Sequence, residues 1–264
     1  MCDALPEAQI DVLAGGDCTA TRFAEYWPGA DHKYNKNTSE TMTTAAPATG
    51  RSSRSDAPFL IAFAAAAMLY MGLDATGLGG PWMASLKILP IAVLALLARR
   101  SLGGPTRTLV LAALGFSALG DVLLALEFPH QFVFGLGAFL LAQLIYAGNF
   151  LRAADFRCRR FWLRGAPVLA AAFLLAQLLL PAAGELALPV LVYLVTIVAM
   201  TLCAAGHRGD SALLFAGAVT FMASDTLIAL NRFIAPLPLA GTGIMLTYYG
   251  AQLALLYGIG RARA

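Results

Sequence analysis

Three charged side chains lie inside long apolar segments of the sequence, where a charge is unusual. They are Lys87, Asp121 and Asp225. A charge at the centre of a membrane-spanning helix costs roughly 2.5 to 3.5 kcal/mol, so each of these side chains should face the interior of a helix bundle and have a partner there. When two carboxyl groups lie close together in a dry site, one keeps its proton while the other stays ionised. The residue types therefore predict acid and base chemistry inside a membrane.

The depth of these charges predicts a shared cavity. At about 1.5 Å per residue, all three charges lie roughly 7 to 9 Å inside the same membrane boundary. Tyr248 and Tyr249 lie slightly deeper, and Gln143 and Gln252 lie near the middle of the membrane. We predict that the two aspartates meet across one cavity, with the lysine and Tyr248 nearby, opening toward the extracytoplasmic half of the membrane.

A purely structural interpretation accounts for the same residues. Lys87 and one aspartate would form an ion pair, and the other aspartate would be protonated and hydrogen-bonded between helices. The two glutamines would join helices through hydrogen bonds, and the tyrosines would pack with satisfied hydroxyl groups. Ser224 fits the role of a small polar neighbour of Asp225, because the sequence places no histidine where it could activate the hydroxyl group.

The elements that must position these residues are apolar helices. The 264 residues are 59% hydrophobic and only 12% charged, whereas soluble domains carry roughly 25% charged residues. Apolar runs separated by short loops rich in glycine and proline predict eight membrane-spanning helices behind a tail. The runs cover residues 58–73, 82–98, 107–126, 131–151, 162–180, 186–205, 210–230 and 239–260.

The first 56 residues are polar and differ in kind from the eight-helix domain at 57–264. They contain no apolar segment of the kind found in a signal peptide, and their composition is typical of a disordered cytoplasmic tail. Met42 lies close to the first apolar run, so an alternative start there is a competing interpretation.

The distribution of cations predicts the orientation of the helices, because arginine and lysine near span ends stay in the cytoplasm. One set of segment ends is rich in arginine and the other is poor, so both termini should be cytoplasmic and the number of spans even. Multi-pass insertion in a bacterial inner membrane is expected. The arginine-rich set holds Arg51, Arg54, Arg99, Arg100, Arg107, Arg152, Arg157, Arg159, Arg160, Arg164, Arg208, Arg261 and Arg263, and the opposite set holds Asp74, Glu127, His130, Glu185 and Arg232.

A short internal repeat relates the third and fourth spans to the seventh and eighth. Residues 120–126, GDVLLAL, parallel residues 224–230, SDTLIAL, and the AQL at 142–144 parallels the AQL at 251–253. The copies are four spans apart and would cross the membrane in the same direction, which predicts two parallel four-helix halves.

Several functional classes are disfavoured by the sequence. The net charge of +3 is small and its basic residues form no stripe with interleaved aromatic residues, so nucleic acid is not an expected partner. The four cysteines have no metal-ligand spacing, and the three histidines lie in the tail or in loops. We expect no metal and no cofactor. Motifs of serine hydrolases, nucleotide-binding loops and zinc peptidases are absent from the sequence.

Five stretches on successive spans form a recognisable set. They are residues 87–90, KILP, residues 120–121, GD, residues 137–146, GAFLLAQLIY, the stretch from Gly217 to Asn231, and residues 248–253, YYGAQL. Together they resemble the YhhN-like membrane proteins, which include the animal lysoplasmalogenases. The resemblance covers essentially everything after the tail.

The resemblance implies a metal-independent hydrolase that cleaves the vinyl ether bond of lysoplasmalogens drawn from the bilayer. The products would be a fatty aldehyde and a glycerophosphoethanolamine or glycerophosphocholine. Asp121 and Asp225 would form the catalytic acid and base pair. The matching substrate-binding positions are Lys87, Gln143, Tyr146, Ser224, Asn231, Tyr248, Tyr249 and Gln252.

Two other classes fit the same residues. Repeated halves with carboxylates inside the membrane also describe proton-coupled carriers of small solutes or lipids. A structural or regulatory membrane protein without turnover is the third possibility.

Overall fold

The computed structural model describes residues 55–78 and 80–263. These residues form eight α-helices and one 3₁₀ turn, Gly184–Leu186. The helices are α1 (Ala57–Ala75), α2 (Pro81–Ser101), α3 (Gly104–Ala125), α4 (Gln131–Leu151), α5 (Arg159–Ala183), α6 (Ala187–Ala205), α7 (Ala212–Phe233) and α8 (Ala240–Arg263). The prediction of an all-helical membrane bundle is confirmed, and the helix ends agree with the predicted runs to within a few residues. The predicted tail lies outside the described residues except for its last two positions.

Prolines mark the beginnings of the first three helices. Pro58, Pro81 and Pro105 each occupy the first or second helical position. A proline is tolerated there because its missing N–H would have no partner within the helix and its fixed φ angle suits the first turn. The breaks at which the sequence predicts span ends therefore coincide with helix starts.

Six segments in the described part of the chain are long and apolar enough to cross a membrane. They are α1, α2, α3, α4, α7 and the continuous stretch Arg159–Ala205, which holds both α5 and α6. That stretch has 47 residues, about twice the roughly 20 that one span needs. Since α5 also packs against α6, the stretch folds back as a helical hairpin.

The outer surface of the bundle is apolar. Large side chains such as Ile61, Phe173, Leu188 and Leu246 are well exposed, while the buried interior contains polar residues such as Ser117, Thr201 and Gln252. Apolar residues outside and polar groups inside are what a bilayer requires, because lipid tails offer no hydrogen bonds.

Two helix pairs form the most extensive contacts of the bundle. α3 packs against α4, and α7 packs against α8. Each pair carries one of the two aspartates and one of the two glutamines identified from the sequence. α8 also contacts α1 and α2, so the last helix packs against the first two.

The loops are joined at both ends of the bundle. At the arginine-rich end, Ala154 and His207 form an isolated antiparallel bridge that connects the α4–α5 and α6–α7 loops. At the opposite end, the last turn of α1 contacts the first turn of α8, where Gly241 lies against the carboxylate of Asp74. The loops that the sequence assigns to one side of the membrane are therefore together in space.

Candidate active site

Lys87 and Asp121 form a buried ion pair between α2 and α3. The Lys87 Nζ atom lies 3.4 Å from Asp121 Oδ1, and the hydroxyl group of Tyr248 on α8 donates a hydrogen bond of 2.8 Å to Asp121 Oδ2. Asp121 is 1% exposed. Both of its oxygens therefore have a partner, one of which carries a positive charge.

Two close contacts between helices hold this pair. A Cβ atom at Gly120 would lie 2.6 Å from the Phe139 ring, so glycine permits α3 and α4 to approach beside the aspartate. On the other side, the Tyr249 hydroxyl group donates a hydrogen bond of 2.8 Å to the backbone carbonyl of Lys87. The adjacent tyrosines of α8 thus fix both members of the ion pair.

Asp225 has a separate set of partners. The Tyr193 hydroxyl group on α6 donates a hydrogen bond of 2.6 Å to Asp225 Oδ2, and Gln143 Nε2 on α4 donates one of 2.9 Å to the same oxygen. Among the described residues, Asp225 Oδ1 accepts no hydrogen bond and Asp225 forms no ion pair. Gln143 is fully buried, and its own Oε1 atom has no partner in the described structure.

Asp225 lines a narrow apolar cavity. The cavity has a volume of about 40 Å³ and, apart from Asp225 and Tyr193, its walls are aliphatic and aromatic side chains. These are Leu124, Phe132, Leu136, Phe139, Val190, Ile228, Ala229 and Phe233.

A larger polar cavity adjoins the apolar one. Its volume is about 290 Å³, and it shares Leu124, Phe132 and Ile228 with the apolar cavity. The rest of its wall consists of Tyr70, Asp74, Lys87, Gln131, Asn231, Arg232, Gly241, Ile244 and Met245. The two cavities together offer an apolar end and a charged end, with Asp225 at the first and Lys87 at the second.

The remaining predicted residues bind the helices to one another. The Tyr146 hydroxyl group donates a hydrogen bond of 2.9 Å to Gln252 Oε1, and Gln252 Nε2 donates one of 3.0 Å to Ser117 Oγ. Ser224 donates its hydroxyl hydrogen to the carbonyl of Ile244 at 3.0 Å. These contacts match the structural interpretation of the glutamine and serine.

Asn231 combines a structural contact with a place on the polar cavity. Its Oδ1 atom accepts a hydrogen bond of 2.9 Å from the backbone N–H of Leu237, and its side chain also lines the polar cavity. It can therefore shape the cavity wall while it holds the loop between α7 and α8.

Part of the predicted arrangement is present in the structure. Lys87, Asp121 and Tyr248 lie together, and Asp121 is enclosed between α2, α3 and α8. Asp225 lines the apolar cavity, to whose wall Asp121 does not contribute. Lys87 balances only one of the two carboxylates, because it is paired with Asp121. That the two aspartates meet across one cavity stays a prediction.

Sequence reasoning missed several polar residues of this region. Tyr193 was not identified, although a tyrosine inside an otherwise apolar span is a recognisable signal. Asp74 and Arg232 were assigned to loops, but they lie in the last turns of α1 and α7 and line the polar cavity. Within the described residues, no group of three histidine, cysteine, aspartate or glutamate side chains could hold a metal ion.

Comparison with known proteins adds a family relationship to this geometry. The model of the YhhN family matches residues 82–259. The human lysoplasmalogenase TMEM86A is 33% identical over 216 residues, which cover 76% of this chain and 88% of that protein. A lysoplasmalogenase of Mycobacterium tuberculosis (strain CDC 1551 / Oshkosh) is 38% identical over 165 residues, covering 59% of this chain and 61% of that relative. No solved structure matches the chain.

Proposed function

Because the chain belongs to the YhhN family, we propose that it hydrolyses the vinyl ether bond of lysoplasmalogens. The products are a fatty aldehyde and a glycerophospho-ethanolamine or glycerophosphocholine. The proposal draws on relatives that carry the name lysoplasmalogenase, and it requires a site that accepts an amphiphile and supplies a proton.

The single observation that carries the proposal is the position of Asp225 in an apolar cavity that adjoins a polar one. A lysoplasmalogen has a charged headgroup, a glycerol and an apolar chain, and its vinyl ether is at the start of the chain. With the headgroup in the polar cavity and the first carbons of the chain in the apolar one, the vinyl ether lies beside Asp225. The rest of the chain would extend into the bilayer, because a cavity of about 40 Å³ is far smaller than a whole fatty chain.

Asp225 is the group placed to give up a proton. Its Oδ2 atom accepts hydrogen bonds from Tyr193 and Gln143, as a carbonyl oxygen with two lone pairs can. Its Oδ1 atom, which has no partner among the described residues, is then left for the proton. An apolar cavity without a nearby cation favours the neutral acid, because an unpaired buried charge is costly.

The reaction proceeds by protonation of carbon. Asp225 transfers its proton to the outer carbon of the double bond, and the neighbouring carbon becomes an oxocarbenium ion. Water adds to that carbon and returns a proton to the Asp225 carboxylate, which restores the acid. The resulting hemiacetal separates into the aldehyde and the free glycerol hydroxyl group.

Asp121 acts through Lys87 in this proposal. Lys87 lines the polar cavity and is held by Asp121, which Tyr248 positions in turn. The lysine can contact the phosphate or the glycerol, and its charge is balanced when no substrate is bound. Asp121 is therefore a positioning residue in this proposal, whereas the sequence predicts that it forms an acid and base pair with Asp225.

Purified protein in detergent or proteoliposomes tests the activity directly. A vinyl ether lysophospholipid should release aldehyde, whereas the matched saturated alkyl ether should not, because it has no double bond to protonate. Release of fatty acid from ester lysophospholipids alone would contradict the proposal. Proton-coupled uptake into proteoliposomes without aldehyde release would favour a carrier instead.

The two aspartates should respond differently to substitution. Asp225→Asn should lower kcat by at least about a hundredfold while the melting temperature stays close to wild type, because asparagine keeps the shape but cannot donate a carboxyl proton. Asp121→Asn should lower stability as well, since it leaves Lys87 buried without its counter-ion. Glu127→Gln removes an exposed carboxylate at the same end of the bundle and is the matched control. Full activity in Asp225→Asn would exclude it as the acid.

A further inference from the structure

Two opposite charges at the wall of the polar cavity have no role in the reaction described above. Asp74 lies in the last turn of α1, and Arg232 lies in the last turn of α7. Both line the cavity that also contains Lys87. The two helices therefore bring a carboxylate and a guanidinium group to the place where the substrate headgroup would lie.

Neither charge is neutralised by the protein. Within the described residues, neither Asp74 nor Arg232 forms an ion pair, and the Asp74 carboxylate accepts no hydrogen bond. The other cation of the cavity, Lys87, is already paired with Asp121. Arg232 thus supplies the unbalanced positive charge of the cavity, and Asp74 supplies the unbalanced negative charge.

Each side chain nevertheless has a contact that orients it. Arg232 is exposed, and its guanidinium carbon lies 5.3 Å from the centre of the Phe132 ring in a cation–π contact. Asp74 lies against Gly241 of α8, where an added Cβ atom would be only 2.7 Å from Asp74 Oδ2. A side chain larger than that of glycine would displace the carboxylate.

We propose that Asp74 and Arg232 bind the two charges of a zwitterionic headgroup and select a primary ammonium over a quaternary one. Arg232 receives the phosphate, for which its planar fork of donors is suited. Asp74 receives the ammonium group. The inference rests on the proposed function and makes the ethanolamine form the preferred substrate over the choline form.

The preference follows from the hydrogen bonds that the ammonium group of the lipid can donate to Asp74. A primary ammonium donates N–H groups to a carboxylate in charge-assisted hydrogen bonds, whereas a trimethylammonium group has no N–H to donate. Quaternary ammonium groups are instead recognised by cages of aromatic rings. The aromatic residues of this cavity are Tyr70 and Phe132, and Arg232 already lies over the Phe132 ring.

The experiment compares kcat/KM for the ethanolamine and choline forms of one vinyl ether lysophospholipid. Wild type should prefer the ethanolamine form by about 10- to 100-fold, the range that a hydrogen bond to a charged group supports. Asp74→Asn should reduce the preference severalfold or more, because kcat/KM falls for the ethanolamine form and changes little for the choline form. Gly241→Ala should reduce the preference in the same way, although it keeps the Asp74 charge and only displaces the carboxylate. Glu127→Gln should leave the preference intact.

The outcomes separate this inference from the proposed function. If neither lipid yields aldehyde, the proposed function fails, and the headgroup site is then tested by thermal stabilisation with glycerophosphoethanolamine and glycerophosphocholine. Stronger stabilisation by the former that is lost in Asp74→Asn, with an unchanged melting temperature for the ligand-free variant, supports the inference. Turnover without a headgroup preference, or a preference unaffected by both variants, overturns it.

Discussion

Lys87 and Asp121 lie 3.4 Å apart in a part of the bundle where each is almost fully buried. Removing both charges from water is costly, and their attraction compensates for this only while both partners remain. The pair is therefore a constraint on stability as well as on the charge of the cavity. Activity lost on substituting either residue must be compared with the stability of the same variant.

A double-mutant cycle measures this coupling. Lys87→Met should lower the free energy of unfolding by about 3 to 5 kcal/mol, because it leaves the Asp121 carboxylate buried without its cation. The double variant with Asp121→Asn should be more stable than the sum of the two single effects predicts, since no unpaired charge remains. Unfolding in mixed micelles with increasing denaturing detergent provides the measurement, and additive effects would contradict the buried ion pair.

Much of the candidate site could be predicted from the sequence, because a charge inside an apolar run is conspicuous. Lys87, Asp121 and Asp225 stand out for that reason, and the order of the apolar runs gives their helices. Tyr193 is also a polar group inside an apolar run, but its contact with Asp225 depends on how α6 packs, which the order of the runs does not give. Asp74 was missed because the predicted span ends one residue before it. The helix continues through Asp74, so its side chain lines the cavity and does not lie in a loop.

Helices α7 and α8 approach each other more closely than ordinary side chains would allow. A Cβ atom at Gly258 would lie 2.5 Å from the Leu214 backbone, and one at Gly217 would lie 2.8 Å from the backbone nitrogen of Leu255. Small residues permit such contacts between membrane helices and the van der Waals attraction that they provide. This packing also sets the distance across which Ser224 reaches the Ile244 carbonyl. The repeat found in the sequence relates the α3–α4 pair to the α7–α8 pair, but it does not predict these glycine contacts.

Replacing either of two glycines of α8 with alanine should have different effects on stability. Gly258→Ala should lower the free energy of unfolding by about 1 to 3 kcal/mol, because the added methyl group meets backbone atoms that cannot rotate away. Gly250→Ala should leave stability unchanged or raise it slightly, since a Cβ atom there meets nothing within 4 Å and alanine favours the helix. Melting temperatures in detergent compare the two. Equal destabilisation would contradict the close contact between α7 and α8.

The arginine-rich end of the molecule and the polar cavity lie at opposite ends of the helix bundle. At the basic end, Arg160 donates hydrogen bonds to the carbonyls of His207 and Gly209, and Arg164 donates one to Ser211. These contacts tie the start of α5 to the loop before α7. The cavity that contains Lys87 is at the other end of the helices, and from the positive-inside rule we predict that it lies on the extracytoplasmic side.

Reporter fusions in a bacterial inner membrane test this orientation. A fluorescent protein fused after α8 should be fluorescent, and alkaline phosphatase fused at the same point should be inactive. In the loop between α7 and α8, the phosphatase should be active and the fluorescent protein dark. The expectation follows from the arginines that flank the cytoplasmic ends of the helices. Phosphatase activity from the fusion after α8 would show that both the orientation and the accessible side of the cavity are reversed.

The composition of α8 has a consequence for how the protein is made. α8 contributes polar side chains to the interior of the bundle, including Tyr248, Tyr249 and Gln252, and each of these bonds to an earlier helix. A polar group in lipid is costly when its partner is absent. We therefore expect α8 to insert most favourably after α2 and α3 are in the membrane. Since Gly241, Ile244 and Met245 of α8 also line the polar cavity, the last helix to be synthesised would be the one that completes it.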